Sequence, residues 1–242
     1  MPLELVQTTL TPRQAPVTSS PDPAAEANHR IANSLALIAG LVRLHASSIV
    51  EDRRVMSAEE IRLTLEEFGG RVETVGRLHR LLANSKQAGP VDLADYLRGL
   101  ADAVVSSLSL PGQVELSHTS NAVCLVDPEQ SLSLGLIVGE MMTNAIKYAH
   151  PTGVTGKISV GCRKASDGAI VVETSDDGVG LPEGFDPMTG GKLGFRLVRT
   201  LATRLGADLV FDDCGIGLCF QLRLPGRAAS GPRPSFRSPM LE

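Results

Sequence analysis

The sequence contains no tryptophan, and aromatic residues make up only 3% of its 242 residues. It also has no basic excess, because 23 Lys and Arg residues stand against 27 Asp and Glu residues and give a net charge of −4. Neither base-stacking platforms nor a basic surface for phosphates is present, which argues against nucleic acid as a partner. No apolar run reaches the length of a membrane span, and the first residues lack the basic start and apolar core of a signal peptide. We therefore expect a cytoplasmic protein without a membrane segment.

Cysteines are few and widely spaced. Cys124, Cys162, Cys214 and Cys219 form no CxxC pair and no zinc-binding pattern with histidine. We interpret them as small, buried hydrophobic residues in a reducing compartment.

The composition divides the chain into two tails and two folded parts. Residues 1–22 and 226–242 are rich in proline and small polar residues, which predicts disordered tails. Asp22-Pro23 is a helix start, and Ser57 with Glu60 forms a capping box that opens a second helix. Residues 23–88 are therefore predicted to form a helical hairpin, and residues 89–225 a separate domain that follows Gly89-Pro90.

The first helix of the predicted hairpin carries two apolar stripes, and one neighbouring helix cannot cover both. A second copy of the hairpin could cover the remainder, giving a dimeric antiparallel four-helix bundle. A monomeric hairpin packed on the rest of the chain is the alternative. The first stripe is Ile31, Leu35, Ile38 and Val42, the second is Leu37, Leu41 and Leu44, and the seam of the second helix is Ile61, Leu65, Phe68, Val72, Val75, His79 and Leu82.

His29 differs from the other hairpin histidines in its position. At about 100° per residue, it projects about 160° away from the first stripe, together with Asn33. His45 and His79 fall inside their seams, where a hydrogen-bonded core histidine is the better interpretation. An exposed imidazole is a competent nucleophile that can carry a phosphoryl group on nitrogen. A surface histidine without a role, beside a solvated Asn33, is the alternative.

The second part mixes helices with short strands, several of them adjacent hairpin pairs, and this predicts an α/β sandwich. The whole chain is thus α+β. Its longest helix places Glu140, Asn144, Lys147 and Tyr148 at i, i+4, i+7 and i+8 along one side. Carboxylate, amide and ammonium groups are what a magnesium-nucleotide site needs, although a plain solvated helix face has the same pattern.

A glycine-rich region follows a predicted strand end. Asp176 ends the strand, and Gly178 and Gly180 come directly after it, so that a carboxylate can accept from an adenine amino group where the backbone approaches the base closely. Gly194 opens a helix whose free N–H groups form an anion site. The residues between Gly180 and Gly194 are predicted to act as a lid.

Taken in order, these features resemble the Bergerat (GHKL) ATP-binding domain shared by histidine kinases, gyrase-type ATPases and related chaperones. The hairpin strengthens the resemblance, because it looks like the phosphoacceptor box of the HWE-like class of bacterial sensor histidine kinases. The segments that carry it are NHRIANSLALIAGLV, GRLHRLLA, GLIVGEMMTNAIKYAHP, VGLPEGFDP and LGFRLVRTLATRLGA. The resemblance covers about residues 24–225, although the tryptophan motif that names the class is absent.

This resemblance implies a role for each candidate residue. His29 is the phosphoacceptor with Asn33 one turn on, and Glu140 opens the box that binds nucleotide. Asn144 ligates Mg²⁺, Lys147 contacts the phosphates of ATP with Tyr148 beside it, and Asp176 binds adenine, while Gly178, Gly180 and Gly194 shape the pocket and lid. The implied reaction is autophosphorylation of His29 from ATP, followed by transfer to an aspartate of a response regulator receiver domain. Glu26 and Glu140 are both candidates to accept the proton of His29.

Three positions depart from the family pattern: Gly139 replaces a common polar residue, Lys192 a small residue, and Leu218 a threonine that often helps bind adenine. Leu218 favours a second hypothesis, a histidine phosphotransferase without productive ATP binding, which intact Asn144, Lys147 and Asp176 oppose. A third hypothesis is a protein that sequesters a regulator through its four-helix bundle.

Overall fold

The computed structural model describes residues 23–51, 57–84, 89–150, 153–213 and 215–226. The predicted N-terminal tail lies outside the described residues, as does the C-terminal tail beyond Gly226. Within this part of the chain, no helix has the combination of length and apolar character that a membrane crossing requires.

The hairpin consists of helix α1 (Pro23–Glu51) and helix α2 (Ala58–Asn84). Helix α1 begins at the proline predicted to start it and continues to Glu51. The capping box of α2 is present, because Glu60 N–H donates to Ser57 Oγ at 3.2 Å and Ser57 N–H donates to Glu60 Oε2 at 2.8 Å. His79 is half-buried and its Nδ1 lies 3.2 Å from Ser34 Oγ, as expected for a seam histidine.

Only one of the two apolar stripes of α1 is covered within the chain. Leu37 and Leu41 of the second stripe are buried in the core, whereas Ile31, Leu35 and Val42 of the first stripe are exposed. The covering comes from α2 and from the domain that follows the hairpin. Within the described residues, the hairpin therefore packs on the second domain of the same chain, and Ile31, Leu35 and Val42 of the first stripe stay exposed.

The second domain begins with strand β1 (Val91–Asp92) and helix α3 (Leu93–Leu108), whose N-cap Asp92 accepts from Ala94 N–H. Its remaining helices and strands agree closely with the sequence pattern. They are β2 (Val114–Ser120), β3 (Leu125–Val126), α4 (Pro128–Asn144), a π-helical turn (Ala145–Ala149), β4 (Gly156–Lys164), β5 (Ile170–Asp176), α5 (Leu193–Leu205), β6 (Asp208–Asp213) and β7 (Leu218–Leu224).

Five strands form one sheet in the order β2-β4-β5-β7-β6, and β1 pairs with β3 in a small separate ribbon. The β2–β4 pair is parallel, and the other neighbours in the large sheet are antiparallel. Helices α3, α4 and α5 contact the sheet, and α4 contacts both other helices, so the three form one layer on the sheet. The predicted α/β sandwich is confirmed.

Helix α4 lies at the centre of the molecule. Residues 131–142 are buried, because α3 and α5 flank the helix, the sheet lies on one side and α2 of the hairpin covers the other. Glu140 and Ser133 are both buried, so the alternative interpretation of the polar stripe as a solvated helix face is wrong for this part of the helix. Lys147 and Tyr148, at the end of the stripe, are exposed.

The cysteines agree only partly with the prediction. Cys124 and Cys162 are free and buried, and burial together with the neighbouring Cys124 raises the pKa of the Cys162 thiol to about 12. Cys219 is half-buried and disulfide-bonded, so its interpretation as a buried free thiol is wrong. Cys214 lies outside the described residues.

Candidate functional site

Asp176 stands at the end of β5, where the strand leaves the five-stranded sheet. Its Oδ1 accepts from Gly178 N–H at 3.0 Å and from Leu218 N–H at 3.3 Å, which fixes the carboxylate against the start of β7. In the described part of the chain, Oδ2 has no hydrogen-bond partner. A half-buried carboxylate with one fixed and one open oxygen can accept from the amino group of a planar base.

Glycines surround this carboxylate because the backbone leaves no room for side chains. A Cβ at Gly178 would overlap the Ala149 carbonyl, and a Cβ at Gly217 would overlap the Asp176 carbonyl. Gly180 and Gly217 also have positive φ values of 69° and 78°. Gly178 and Gly180 thus lie in the tight turn that follows Asp176, and their role in shaping a nucleotide pocket stays a prediction. Gly217 was missed, although its GIG context before β7 is a detectable signal.

Asn144 ends α4 at the start of the π-helical turn. Its side-chain Nδ2 is buried and has no hydrogen-bond partner within the described residues. An orphaned amide of this kind fits a site whose ligand is added from outside, and its Oδ1 is a suitable hard ligand for Mg²⁺. The residues present therefore fit a magnesium-nucleotide group.

The π-helical turn changes where the last residues of the stripe point. The extra residue per turn breaks the α-helical register, so Lys147 and Tyr148 are exposed while Glu140 is buried. The prediction that all four polar residues share one side of a regular helix is wrong at this turn. Lys147 lies at the surface, in the same turn as Ala149, whose carbonyl accepts from Val179 N–H in the loop after Asp176.

The other end of this turn is held by contacts that the sequence did not predict. His150 Nε2 lies 3.0 Å from Asp177 Oδ1, which also accepts from Lys157 N–H at 2.7 Å. Val179 N–H donates to the Ala149 carbonyl at 2.9 Å. These contacts hold the end of the π-helical turn against the loop that follows Asp176.

Gly194 lies in the first turn of α5, as predicted, directly against α4. A Cβ at this position would lie 2.7 Å from Glu140 Oε2. The N-cap residue Lys192 is exposed and makes no side-chain capping bond. The N-terminal amides of α5 and the Glu140 carboxylate therefore meet at one edge of the site.

Glu140 is paired with an arginine of the hairpin. Arg71 of α2 donates from Nε to Glu140 Oε1 at 2.7 Å and from Nη2 to Oε2 at 3.1 Å. The sequence did not single out Arg71, because its partner lies 69 residues away and Arg71 by itself looks like any helical arginine.

The predicted lid is a sequence of tight turns fixed to α5. The Asp186 carboxylate accepts from Met188 N–H and Thr189 Oγ1, and these bonds, the Thr189 hydroxyl first, lower the pKa of Asp186. Arg199 Nη1 donates to the carbonyls of Pro187 and Gly190, each at 2.7 Å. The Phe185 ring lies 5.4 Å from that of Phe195, the first step of a stack that continues to Phe211 and Phe220.

The predicted phosphoacceptor His29 lies in the described backbone of α1, but its side chain is outside the described residues. The prediction that this imidazole faces outward therefore stays a prediction. Asn33, one turn on, is half-buried, and Ala36 on the same face is exposed. The backbone places His29 toward the start of α1.

Two family models match this chain in succession. Residues 26–108 match a histidine kinase model, HisKA_2, and residues 129–228 match the model of histidine kinase-, DNA gyrase B- and HSP90-like ATPases. The first covers most of the hairpin and α3, and the second covers nearly all of α4, strands β4 to β7, α5 and the residues around Asp176.

Curated relatives agree with these models. The chain is 28% identical over 205 residues to blue-light-activated histidine kinase 2 of Erythrobacter litoralis, covering 83% of this chain and 56% of that protein. It is 29% identical over 210 residues to the sensor histidine kinase PdtaS of Mycolicibacterium smegmatis, covering 85% of this chain and 40% of that protein. The chain thus spans about half the length of these relatives or less.

The chain is also similar to solved structures. One is the blue-light activated histidine kinase of Erythrobacter litoralis, with a TM-score of 0.64 and 28% identity; the match covers 83% of this chain and 58% of that one. The histidine kinase domain of the same protein gives a TM-score of 0.61 at 26% identity, covering 85% of this chain and 94% of that domain.

Proposed function

We propose that this chain, which belongs to the histidine kinases, transfers the γ-phosphoryl group of ATP to its own His29. From there it passes the group to an aspartate of a response regulator receiver domain, in the cytoplasm, where ATP is available. The observation that carries this proposal is the arrangement of residues around Asp176. Its carboxylate is fixed by two backbone amides, and the following Gly178 lies against Ala149 of the π-helical turn. Asn144, which precedes this turn, has a buried side-chain Nδ2 without a hydrogen-bond partner in the described part of the chain.

The residues of the pocket divide the binding of ATP between them. Asp176 Oδ2 accepts from the adenine amino group, and Gly178 and Gly180 let the backbone approach the base. Lys147 and the N-terminal amides of α5 at Gly194 face the phosphates, with Tyr148 at the rim. Asn144 offers its amide oxygen to Mg²⁺, which when bound supplies charge neutralisation at the phosphates.

The phosphoryl transfer is a nucleophilic displacement. A ring nitrogen of His29 forms a bond to the γ-phosphorus, the bond from that phosphorus to the β–γ bridging oxygen breaks, and ADP leaves with the bond's electron pair. The imidazole proton passes to a base, for which Glu140 and Glu26 are the candidates. Positioning and charge neutralisation provide most of the rate enhancement in reactions of this class.

The exposed stripe of α1 supports a homodimer. Ile31, Leu35 and Val42 are each about half or more exposed, and apolar stripes of this kind are typical of helix-bundle interfaces. We propose that a second copy of the hairpin covers them in a four-helix bundle.

The test is incubation of the purified chain with Mg²⁺ and γ-labelled ATP. Wild type is expected to acquire a label that is lost in acid and stable in base, as a phosphorylated nitrogen is. His29→Ala is expected to abolish the label with unchanged ATP binding. Asp176→Asn is expected to weaken ATP binding by about 10- to 100-fold, because it removes a charged acceptor worth about 1.5–3 kcal/mol.

The matched control is Asp212→Asn, which changes an exposed carboxylate on β6 and is expected to leave ATP binding unaltered. Label that persists in His29→Ala contradicts the assignment of the phosphoacceptor. No label from ATP, but label received from a phosphorylated receiver domain, favours the phosphotransferase that Leu218 suggests. A stable complex with a receiver domain and no label by either route favours the sequestering protein.

A further inference from the structure

The ion pair between Arg71 and Glu140 joins the two domains at the edge of the nucleotide pocket. Both hydrogen bonds of the fork are made, at 2.7 and 3.1 Å, and the two side chains are only 11% and 10% exposed. Glu67 of α2 lies 3.9 Å from the same guanidinium, too far for a strong contact. A bidentate pair shielded from water holds its two partners in one fixed geometry, unlike the exposed pairs elsewhere on α2, and leaves an uncompensated buried charge if one partner is removed.

Glu140 cannot act as a base while it is held in this way. Both of its oxygens face the guanidinium, and Oε2 also lies against Gly194 at the start of α5. The Arg71 side chain therefore covers the edge at which the γ-phosphate and the proton of His29 would meet Glu140.

The contacts between α4 and α2 also fix the position of the candidate nucleotide site along the axis of the hairpin. Gly135 of α4 lies against Leu78 of α2, and Gly139 lies against Thr74. Rising residue numbers on α4 thus match falling numbers on α2, and the two helices are antiparallel. Asn144 lies one further turn along α4, on the side toward the hairpin loop.

His29 lies at the opposite end of the hairpin. The contact between Ser34 and His79 fixes the register of α1 against α2. Arg71 lies eight residues beyond this level toward the loop, and His29 lies five residues beyond it in the other direction. At 1.5 Å per residue, the levels of Arg71 and His29 are about 20 Å apart along the bundle.

A separation of about 20 Å prevents the reaction, because transfer needs the reacting atoms about 3–3.5 Å apart. A second copy related by a two-fold axis along the bundle has its phosphoacceptor at the same level, so the separation applies in cis and in trans.

We propose that the Arg71–Glu140 pair is an autoinhibitory latch, which holds the ATP-binding domain in a parked position away from His29 and must open before autophosphorylation. This inference rests on the proposed function and names the regulation of the same site. When the pair opens, water replaces Arg71 in solvating the Glu140 carboxylate, so no unpaired charge stays buried. Opening therefore changes how the two domains contact each other and leaves the fold of each domain unchanged.

The first test compares Arg71→Gln with Arg62→Gln in the whole chain at saturating ATP. Arg62 lies on the same helix and forms exposed pairs with Glu59 and Glu66, so it matches the chemistry without joining the domains. The rate of His29 phosphorylation is expected to rise at least about fivefold in Arg71→Gln, with ATP affinity and the Arg62→Gln rate unchanged. Arg71→Lys, which keeps the charge and loses the fork, is expected to be intermediate. An unchanged or lower rate in Arg71→Gln overturns the proposal.

Hydrogen exchange measures the latch independently of catalysis. Backbone amides on the facing sides of α2 and α4 are expected to exchange faster in Arg71→Gln than in wild type or Arg62→Gln. Unchanged exchange overturns the latch even if the rate rises. If wild type acquires no label at all, the proposed function fails while this measurement still decides whether the pair holds the domains together.

A disulfide crosslink provides the opposite test, because it holds the two domains together instead of releasing them. A Cβ at Gly139 would lie 3.5 Å from Thr74 Cγ2, so the double variant Thr74→Cys, Gly139→Cys can form a disulfide only while the domains are docked. The oxidised form is expected to bind ATP without phosphorylating His29, and reductant is expected to restore the label. Each single variant under the same oxidation is the control. Full activity of the crosslinked form overturns the proposal.

Discussion

Gly217 illustrates how much one residue can contribute to the pocket. Its φ is +78°, and a Cβ there would overlap the Asp176 carbonyl. We expect Gly217→Ala to move the end of β5 and to lose ATP binding, in addition to the backbone penalty of about 1–2 kcal/mol for a left-handed residue. Binding of a fluorescent ATP analogue and thermal unfolding measure the two effects.

Gly215 provides the matched control for this substitution. Its φ of +80° is nearly the same, but a Cβ there meets no atom of the described residues within 4 Å. Gly215→Ala therefore carries the backbone penalty alone and is expected to keep its ATP affinity. Equal losses of ATP binding in both variants would mean that backbone strain, not the contact with Asp176, causes the effect.

Single residues were predictable from the sequence where their chemistry is local. Asp176 and Gly178 occur two positions apart, and Gly194 begins a helix, so the pattern identifies them directly. Arg71 and His150 could not be predicted in this way, because each pairs with a carboxylate that only the fold brings near. No local pattern identifies the carboxylate that an arginine will meet across a domain boundary.

At the scale of the elements, Arg199 fastens the lid to α5. It donates to the Pro187 and Gly190 carbonyls, and both lose this donor in Arg199→Gln. We expect lid opening to become about 10-fold more frequent, since unpaired carbonyls cost about 1–3 kcal/mol. Limited proteolysis between residues 180 and 192, together with the dissociation rate of ATP, measures this change.

Arg204→Gln is the control for the lid prediction. Arg204 lies on the same helix and pairs with Glu129 at 2.8 Å, but both side chains are more than half exposed and lie away from the lid. An exposed pair contributes little, so cleavage and ATP dissociation are expected to stay at wild-type values. A lid in Arg199→Gln that resists protease as well as wild type does would contradict the assigned role.

The elements themselves were largely predictable because hydrophobic period and capping residues are local signals. The capping box at Ser57 appears where the pattern places it, and the neighbouring strands β4 and β5 form one of the expected hairpin pairs. The π-helical turn at Ala145–Ala149 was not foreseen, since one extra residue in a helix leaves no mark in a short apolar pattern. The outward positions of Lys147 and Tyr148 follow from that turn.

At the scale of the whole molecule, the exposed stripe of α1 predicts a dimer that can be dissociated. Leu35 is 61% exposed in the single chain, and burial in an interface would stabilise each copy by about 1.5–3 kcal/mol. Leu35→Glu is expected to raise the dimer dissociation constant at least about 100-fold. Sedimentation equilibrium over a range of concentrations measures this constant.

Leu110→Glu is the control, because Leu110 is 75% exposed and lies outside the hairpin. The same change of chemistry there is expected to leave the association unchanged. If wild type sediments as a monomer at all concentrations, the stripe has another role and the predicted four-helix bundle is wrong.

The arrangement of the two domains was the least predictable feature. The two stripes of α1 indicated that the helix needs two neighbours but did not say which stripe faces which neighbour. The buried stripe at Leu37 and Leu41 turned out to be the one covered within the chain. Such choices depend on the combined surfaces of α2, α4 and α5, which no single helix encodes.

The stack of phenylalanine rings from the lid to β7 has a practical consequence for spectroscopy. The chain has no tryptophan, so Phe185→Trp would introduce its single indole, in contact with Phe195. Its emission maximum would shift to the red whenever the ring leaves the stack for water. A single optical signal would then follow the opening and closing of the lid in real time, without any external dye.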